Sequence, residues 1–261
     1  MLSRTLLFAA MLACSAAAHA HAPLVEVAVT DRVTGETAPV YSHRGERWIA
    51  GTPGNRYSIT LHNRSPARVL AVLSVDGVNA ISGQTAAWDQ AGYVLGPGER
   101  AEVRGWRKSE QRIAAFEFTA LPDSYAARTG RPEHVGVIGV ALFREAPPPP
   151  PTLSQVAPGV AGARDEAAAP RPATAAAEAA GRADNAERSA SRIGTGHGRS
   201  ETSYAQFTRF ERAQPNPDQV LSIRYDSRIN LVAMGVITPA PAWRPQPFPG
   251  ALGFVPDPPR P

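Results

Sequence analysis

Residues 135–143 read Val-Gly-Val-Ile-Gly-Val-Ala-Leu-Phe, and this stretch decides the fold class. It is the most apolar run between residues 24 and 145, which indicates a strand at the centre of a sheet. Helical periodicity is almost absent around it, whereas short apolar segments recur at a regular spacing. That spacing predicts an all-β domain, either an immunoglobulin-like β-sandwich or a partly closed barrel.

The strands expected around this run either alternate apolar with polar residues or are rich in β-branched side chains. Residues 57–61 (Tyr-Ser-Ile-Thr-Leu) alternate strictly, as a half-buried strand does. Arg44, Gly45 and Glu46 separate two strand-like segments and predict a hairpin turn. A chain of about 120 residues can bury a real core, so residues 24–145 form the predicted sandwich domain.

Residues 146–200 have a different composition and are expected to form a disordered linker rich in Ala and Pro. Residues 147–151 are all proline, which favours an extended spacer. Residues 157–190 contain 15 Ala and almost no large apolar side chain, so they offer nothing to pack. Residues 238–261, which include nine Pro, are expected to form a disordered tail.

Order is expected to resume in residues 201–237 as a strand–strand–helix segment. The strands are predicted at residues 204–210 and 220–225, and the helix is predicted to begin at Asp226 or Ser227 and to end before Gly235. Such a unit is too small to fold alone. We therefore expect it to dock on the N-terminal domain of the same chain, with a partner protein as the alternative.

Charge and cysteine content exclude several classes of protein. The chain carries 27 basic residues against 23 acidic ones, a net charge of +4 with no strongly basic segment. This balance does not predict nucleic-acid binding. A single cysteine excludes an intrachain disulfide framework and a zinc site built from several thiolates.

The first twenty residues have the pattern of a secretory signal peptide. Arg4 supplies a positive charge, residues 6–13 are apolar, and Ala18-His19-Ala20 is typical of a cleavage site. No later segment has 18 consecutive apolar residues, so we expect a periplasmic or secreted protein without a transmembrane helix in the mature chain. The alternative is lipidation of Cys14, because residues 11–14 (Met-Leu-Ala-Cys) are similar to a lipobox, and it would give a lipid-anchored outer-membrane protein.

Two clusters of polar and aromatic residues are candidate ligand-binding sites. Asp76, Asn79 and Gln84 follow an apolar strand, and their oxygen atoms suit a hard cation or a sugar. Their alternative role is turn geometry. Trp106 and Lys108, together with Trp88, Tyr93 and Tyr125, have the composition of an aromatic platform for a glycan or a peptide, whereas the alternative places Trp106 and Tyr93 in the core.

The long loop at residues 121–134 carries the remaining candidates, Asp123, Tyr125 and Arg128. Asp123, Ser124 and His134 supply the residue types of a catalytic triad, which gives a remote hydrolase interpretation. Ser124 lacks the glycines of a nucleophile elbow, and the alternative is an Asp/Ser turn or helix cap.

The histidines give one metal hypothesis. Cleavage after Ala20 would leave His21 as the first residue, whose amine and imidazole can chelate copper together with a second histidine. The sequence does not identify that second ligand. His197, within Gly-Thr-Gly-His-Gly, is expected to lie in a flexible joint.

Several blocks of this chain resemble a family of exported, β-rich proteobacterial proteins that have no assigned activity. The blocks are residues 68–79, 82–85, 105–109, 123–132 and 135–139. The resemblance covers residues 24–145 and, more loosely, residues 194–237; it implies an envelope protein and supplies no catalytic residues. The sequence therefore predicts an exported binding or scaffolding protein without catalytic activity and without a cofactor, whose partner is an envelope protein or a glycan. The copper-binding protein is the alternative.

Overall fold

Strands make up most of the regular structure in the computed structural model, which describes residues 23–147 and 192–239. They are β1 Val25–Asp31, β2 Tyr41–His43, β3 Glu46–Gly51, β4 Tyr57–Asn63, β5 Val69–Val75, β6 Val78–Asn79, β7 Tyr93–Leu95, β8 Arg100–Val103, β9 Gly105–Arg107, β10 Arg112–Ala120, β11 Val137–Arg144, β12 Ile193–Thr202 and β13 Gln219–Ser227. The helices of these ranges are short: α1 Tyr125–Arg128, α2 Arg228–Ala233 and two 3-10 turns, Leu121–Asp123 and Pro132–His134. The prediction of an all-β fold is confirmed.

The strands of the described ranges form three open sheets. Two of them have three strands, in the orders β1-β4-β8 and β12-β10-β9, and the third has the order β2-β3-β13-β11-β5-β6 with β7 also paired to β5. We call the third the large sheet. All pairs are antiparallel except β13 and β3, which run parallel. The described strands form several sheets and do not close into a barrel.

The two small sheets together form one layer of the sandwich. The backbone N–H of Phe118 in β10 donates to the carbonyl of Asn55 just before β4, and Arg56 forms a β-bridge with Glu117. Tyr57 stacks on Phe118 with ring centroids 4.1 Å apart. The inward side chains of this layer pack against those of the large sheet in one continuous core, because each strand turns alternate residues inward.

Strand β11, which contains the most apolar run of the sequence, lies between β13 and β5 in the large sheet. Its inward residue Leu142 belongs to the main core, whereas Ala141 and Phe143 belong to a second cluster on the outer face. Phe210 packs on that cluster, and the guanidinium carbon of Arg212 lies 4.2 Å from the centroid of the Phe143 ring. Burial on both faces explains why this run is continuously apolar instead of alternating.

The structure corrects two expectations about the C-terminal part of the chain. Strand β12 begins at Ile193, within the stretch expected to be a linker, and His197 lies in this strand instead of a joint. Residues 204–210, expected to be a strand, are not one. The glycines around His197 allow close packing: a Cβ atom on Gly194 would lie 2.5 Å from Cγ1 of Val135. Residues 148–191, most of the expected linker, and residues 240–261, most of the expected tail, lie outside the described residues.

The docking of the C-terminal segment on the N-terminal domain is confirmed, and the segment becomes part of a sheet of that domain. Strand β13 inserts between β11 and β3, so it is an interior strand of the large sheet. Helix α2 follows as predicted, and the Ser227 hydroxyl accepts a hydrogen bond from the N–H of Asn230 at its start. Leu231 packs against Trp48 and Ala50 on the outer face of β3.

Candidate functional site

The turn that was expected to bind a cation or a sugar contains a buried carboxylate, and groups of the protein itself donate hydrogen bonds to it. Asp76 (φ 53°) and Gly77 (φ 71°) form a left-handed hairpin turn between β5 and β6. The Asp76 side chain is fully buried and accepts hydrogen bonds from the backbone N–H of Gly136 (2.9 Å) and of Thr195 (2.8 Å). These donors occupy both carboxylate oxygens.

Two tyrosines and a threonine extend this hydrogen-bond network through the core. The Tyr225 hydroxyl donates to Asp76 at 2.6 Å, and the Thr195 hydroxyl lies 2.7 Å from that of Tyr225 and 2.6 Å from that of Tyr57. Burial raises the pKa of Asp76, although four hydrogen-bond donors act in the opposite direction. Burial, followed by the nearby charge of Asp76, raises the pKa of both tyrosines. The network joins β4, β12 and β13 to the β5–β6 turn.

The other two members of this candidate site lie close by in sequence and have separate roles. The Asn79 side chain is buried and accepts hydrogen bonds from the backbone N–H of Ile81 and of Ser82. Gln84 is exposed, and its backbone carbonyl accepts a hydrogen bond from the backbone N–H of Asn79. Within residues 23–147 and 192–239, no three His, Cys, Asp or Glu side chains are grouped as metal ligands would be.

The aromatic residues expected as a platform are divided between the core and the surface. Trp106 is buried, with its edge against Phe116 (centroids 4.8 Å apart) and Tyr125 on its other side (5.2 Å). Lys108 is exposed beyond the end of β9. Trp88, by contrast, is 56% exposed and lies on the outer face of the large sheet.

In the long loop, the serine that was considered as a nucleophile caps a helix instead. The Ser124 hydroxyl donates to the carbonyl of Leu121 (2.7 Å) and accepts from the N–H of Ala127 (3.2 Å), so it caps α1. Asp123 and Arg128 are exposed on either side of that cap. The imidazole of His134 lies near the Glu133 carboxylate instead, at 3.4 Å.

His134 and the Asp76 turn meet at a cleft on the outer face of the large sheet. A Cβ atom on Gly77 would lie 2.7 Å from Cβ of His134, which shows how closely the two loops pack. The cleft has a volume of about 290 Å³, and we call it the Trp88 cleft. Its walls are Gly77, His134 and residues 85–88, and its floor is formed by Val72, Ser74, Gly139, Ala141 and Val220.

Hydrogen bonds hold the wall that carries Trp88. The Gln90 amide group donates to the carbonyl of Thr85 and accepts from the N–H of Ala87, so it braces the turn from within. Arg131 donates to the Thr85 hydroxyl, and Arg212 donates to the carbonyl of Gln90 at 2.7 Å. The exposed indole of Trp88 is therefore presented from a supported loop, an arrangement that reduces the entropy lost on binding.

The chemistry of the Trp88 cleft is that of an apolar binding surface with few polar groups. Apart from Ser74, its floor is made of methyl groups and the open backbone of Gly139, and its polar side chains are Ser74, Thr85 and His134. The sequence suggests Trp88 and His134 as members of separate sites and does not reveal the floor. Val220 was the sequence signal for this floor. It is apolar although it lies on the face of β13 that is turned to solvent, where it is 55% exposed, and an exposed apolar residue of this kind indicates a binding surface.

The comparisons with known proteins add no family. No family model, curated protein or solved structure matches this chain. Helices α1 and α2 have four and six residues, so no helix of the described ranges reaches the length needed to cross a membrane. His21 and Cys14, the candidates for copper binding and lipidation, lie outside the described residues, and both hypotheses stay predictions.

Proposed function

We propose that this protein is a non-catalytic binding module of the bacterial cell envelope and that its Trp88 cleft holds an extended, uncharged segment of an envelope protein. Trp88 is the observation that carries the proposal. The residue is 56% exposed at the rim of a cleft with an apolar floor. An aromatic side chain in this position gives a large contact area at a small cost in conformational entropy. Export is inferred from the signal-like residues 1–20 and from the family resemblance.

The lining of the cleft favours a peptide over a glycan. A glycan presents many hydroxyl groups, and each of them needs a hydrogen-bond partner when it leaves water. Three polar side chains, Ser74, Thr85 and His134, are too few for that requirement. An extended peptide presents small apolar side chains on one face, and these match the methyl groups of Val72 and Ala141.

Site-specific crosslinking in the periplasm tests this proposal. A photoreactive phenylalanine analogue replaces Trp88 in one variant and Val33 in a second variant. Val33 is equally accessible, at 61% exposed, but lies in the turn after β1 in the other layer of the sandwich. We expect a discrete crosslinked product from position 88 and none from position 33.

Substitutions in the floor then show whether the product depends on the cleft. A Cβ atom on Gly139 would meet only Cβ of Ser74, at 3.8 Å, so Gly139→Ala fits without strain. Gly139→Leu fills the floor. We expect the product from position 88 to persist in Gly139→Ala and to be lost in Gly139→Leu, with both variants still folded by circular dichroism. Equal labelling from positions 33 and 88, or a product that Gly139→Leu leaves unchanged, would reject the proposal.

A further inference from the structure

The connection from β12 to β13 begins with an exposed aromatic segment. Residues 203–208 read Ser-Tyr-Ala-Gln-Phe-Thr and carry no charged side chain, and we call them the Phe207 segment. Tyr204 is 79% exposed, and Phe207, at 88%, is the most exposed large apolar residue of the described ranges. Two aromatic side chains left in water, three residues apart on a protein with a well-packed core, indicate an interaction surface.

Arginines from two other strand regions fix both ends of the Phe207 segment. The guanidinium of Arg107, in β9, donates to the carbonyl of Ser203 at 2.7 Å. The guanidinium of Arg68, just before β5, donates to the carbonyl of Arg209 at 3.0 Å. Between these anchors Phe207 makes no hydrogen bond within the described ranges, so its backbone groups remain available to a partner. Fixed ends reduce the conformational entropy that the segment loses on binding.

The Phe207 segment and the Trp88 cleft are close to each other on the molecule. Phe210, three residues after Phe207, packs on an apolar cluster that includes Val72 and Ala141, and these two residues also belong to the floor of the cleft. Phe207 itself does not line the cleft of its own chain, because the anchors on both sides hold it turned to solvent. Two copies of the chain can therefore exchange this contact reciprocally, as an isologous interface requires.

The chemistry of the cleft matches that of the segment. At about 290 Å³ the cleft lies at the small end of ligand pockets, a size that suits an aromatic anchor. A segment without charged side chains brings no charge onto the apolar floor, where it would lose its water. The flanking charges are opposite: Arg209 follows the segment and Asp89 follows Trp88, and both side chains are exposed without an ion-pair partner in the described part of the chain. Such charges at the rim favour one orientation of the partner.

We propose that the Trp88 cleft of one copy holds the Phe207 segment of a second copy, in a two-fold dimer with two equivalent contacts. The Phe207 ring packs on the methyl groups of the cleft floor, and Arg209 lies near Asp89 of the partner subunit. The inference rests on the proposed function of the cleft and names the envelope protein that it binds, which is a second copy of this chain.

Sedimentation of the purified full-length chain over a range of concentrations tests the dimer. Phe207→Ala removes the anchor, and Ile229→Ala is the matched control, because Ile229 is an equally exposed apolar residue (81%) that does not line the cleft. We expect Phe207→Ala to raise the dissociation constant of the dimer by at least about a hundredfold, since each dimer loses two aromatic anchors worth about tenfold or more each. Ile229→Ala should sediment like the wild type. A wild-type chain that stays monomeric at the highest concentration tested, or equal association of the two variants, would overturn the inference.

A mixture of two variants tests whether the segment meets the cleft. Phe207→Ala keeps the cleft, whereas Gly139→Leu fills the cleft floor and keeps the segment. A dimer of either variant with itself lacks both contacts, but a mixed dimer retains one of the two. We therefore expect the two variants to bind each other about tenfold more tightly than either binds itself, measured by sedimentation with a fluorescent label on one of them. Mixed association no tighter than self-association would show that the segment and the cleft are not partners.

Photo-crosslinking from position 88 separates this inference from the proposed function. A product with twice the mass of the chain, in which position 88 is joined to residues 203–208 on mass spectrometry, supports both. A product that contains a different envelope protein, together with a monomeric purified chain, overturns the dimer but leaves the cleft as a binding site. No product from position 88 rejects the proposed function, and the dimer with it.

Discussion

At Asp76, one carboxylate accepts hydrogen bonds from three separate parts of the chain. The donors are the backbone N–H groups of Gly136 and Val137, the N–H of Thr195 and the hydroxyl of Tyr225. The sequence placed Asp76 correctly in a turn. Its partners were not predictable, because two of them, Thr195 and Tyr225, are more than 100 residues away.

Substitution of Asp76 measures the strength of this network. Asp76→Asn keeps the shape and tolerates the left-handed conformation, but its amide group faces the Thr195 N–H with a second donor. Leaving a buried donor unsatisfied costs about 1–3 kcal/mol, so we expect the free energy of unfolding to fall by that amount in a urea titration. Asp76→Ala leaves four donors without their acceptor and should be less stable still. Equal stability of Asp76→Ala and the wild type would contradict this role.

The same residue predicts a pH dependence of stability. Because burial raises the pKa of Asp76 above its ordinary value of 3.8, the folded state holds this proton at a higher pH than the unfolded state does. The proton bound to Asp76 therefore stabilises the folded state relative to the unfolded state. This contribution to the free energy of unfolding is fully present below pH 3.8 and decreases as pH rises through the raised pKa. Asp76→Asn should remove this component from the pH profile of the unfolding free energy.

Among the elements, β12 needs glycines for its close packing, although glycines in a sequence usually indicate a loop. A Cβ atom on Gly194 would lie 2.5 Å from Val135 and 2.6 Å from Ser124, both in well-packed positions. Gly196, two residues along the same strand, is a control, since its Cβ atom would meet a methyl group of Thr119 at 3.2 Å. We expect Gly194→Ala to destabilise the protein by about 1–3 kcal/mol and Gly196→Ala to cost less. Thermal unfolding that ranks the two variants in the opposite order would contradict this explanation.

The strands differ in how well their sequences revealed them, and the difference has a physical basis. β4 and β11 were predictable because burial on one or both faces fixes their apolar pattern. β12 was not, because close contact with the 121–135 loop requires glycine and removes the pattern. The strand expected at residues 204–210 fails for the opposite reason: Tyr204 and Phe207 are apolar in sequence but 79% and 88% exposed.

The Trp88 cleft was not predictable because its floor is assembled from three strands, β5, β11 and β13.

At the scale of the whole molecule, the C-terminal strands join parts of the sandwich that lie far earlier in the chain. β13 completes the large sheet, and β12 pairs along β10 in the opposite layer. Glu201, near the end of β12, binds Arg32 and Arg56 at 2.9 Å and so ties one small sheet to the other. Burial acts to raise the pKa of Glu201, but the two arginines outweigh it and lower that pKa.

Glu201→Gln tests whether this pair of ion pairs holds the layer together. A carboxyl group whose folded pKa lies below its ordinary value of 4.5 stabilises the protein above that pH and loses the effect as pH falls through the folded pKa. We expect a loss of roughly 1 kcal/mol at pH 7, at the upper end for partly exposed pairs. The difference from the wild type should shrink below pH 4.5. Glu36→Gln, in the exposed turn after β1, makes the same change in net charge and should have little effect. If both variants unfold alike at every pH, the two sheets are joined by their backbone contacts and the core, and not by Glu201.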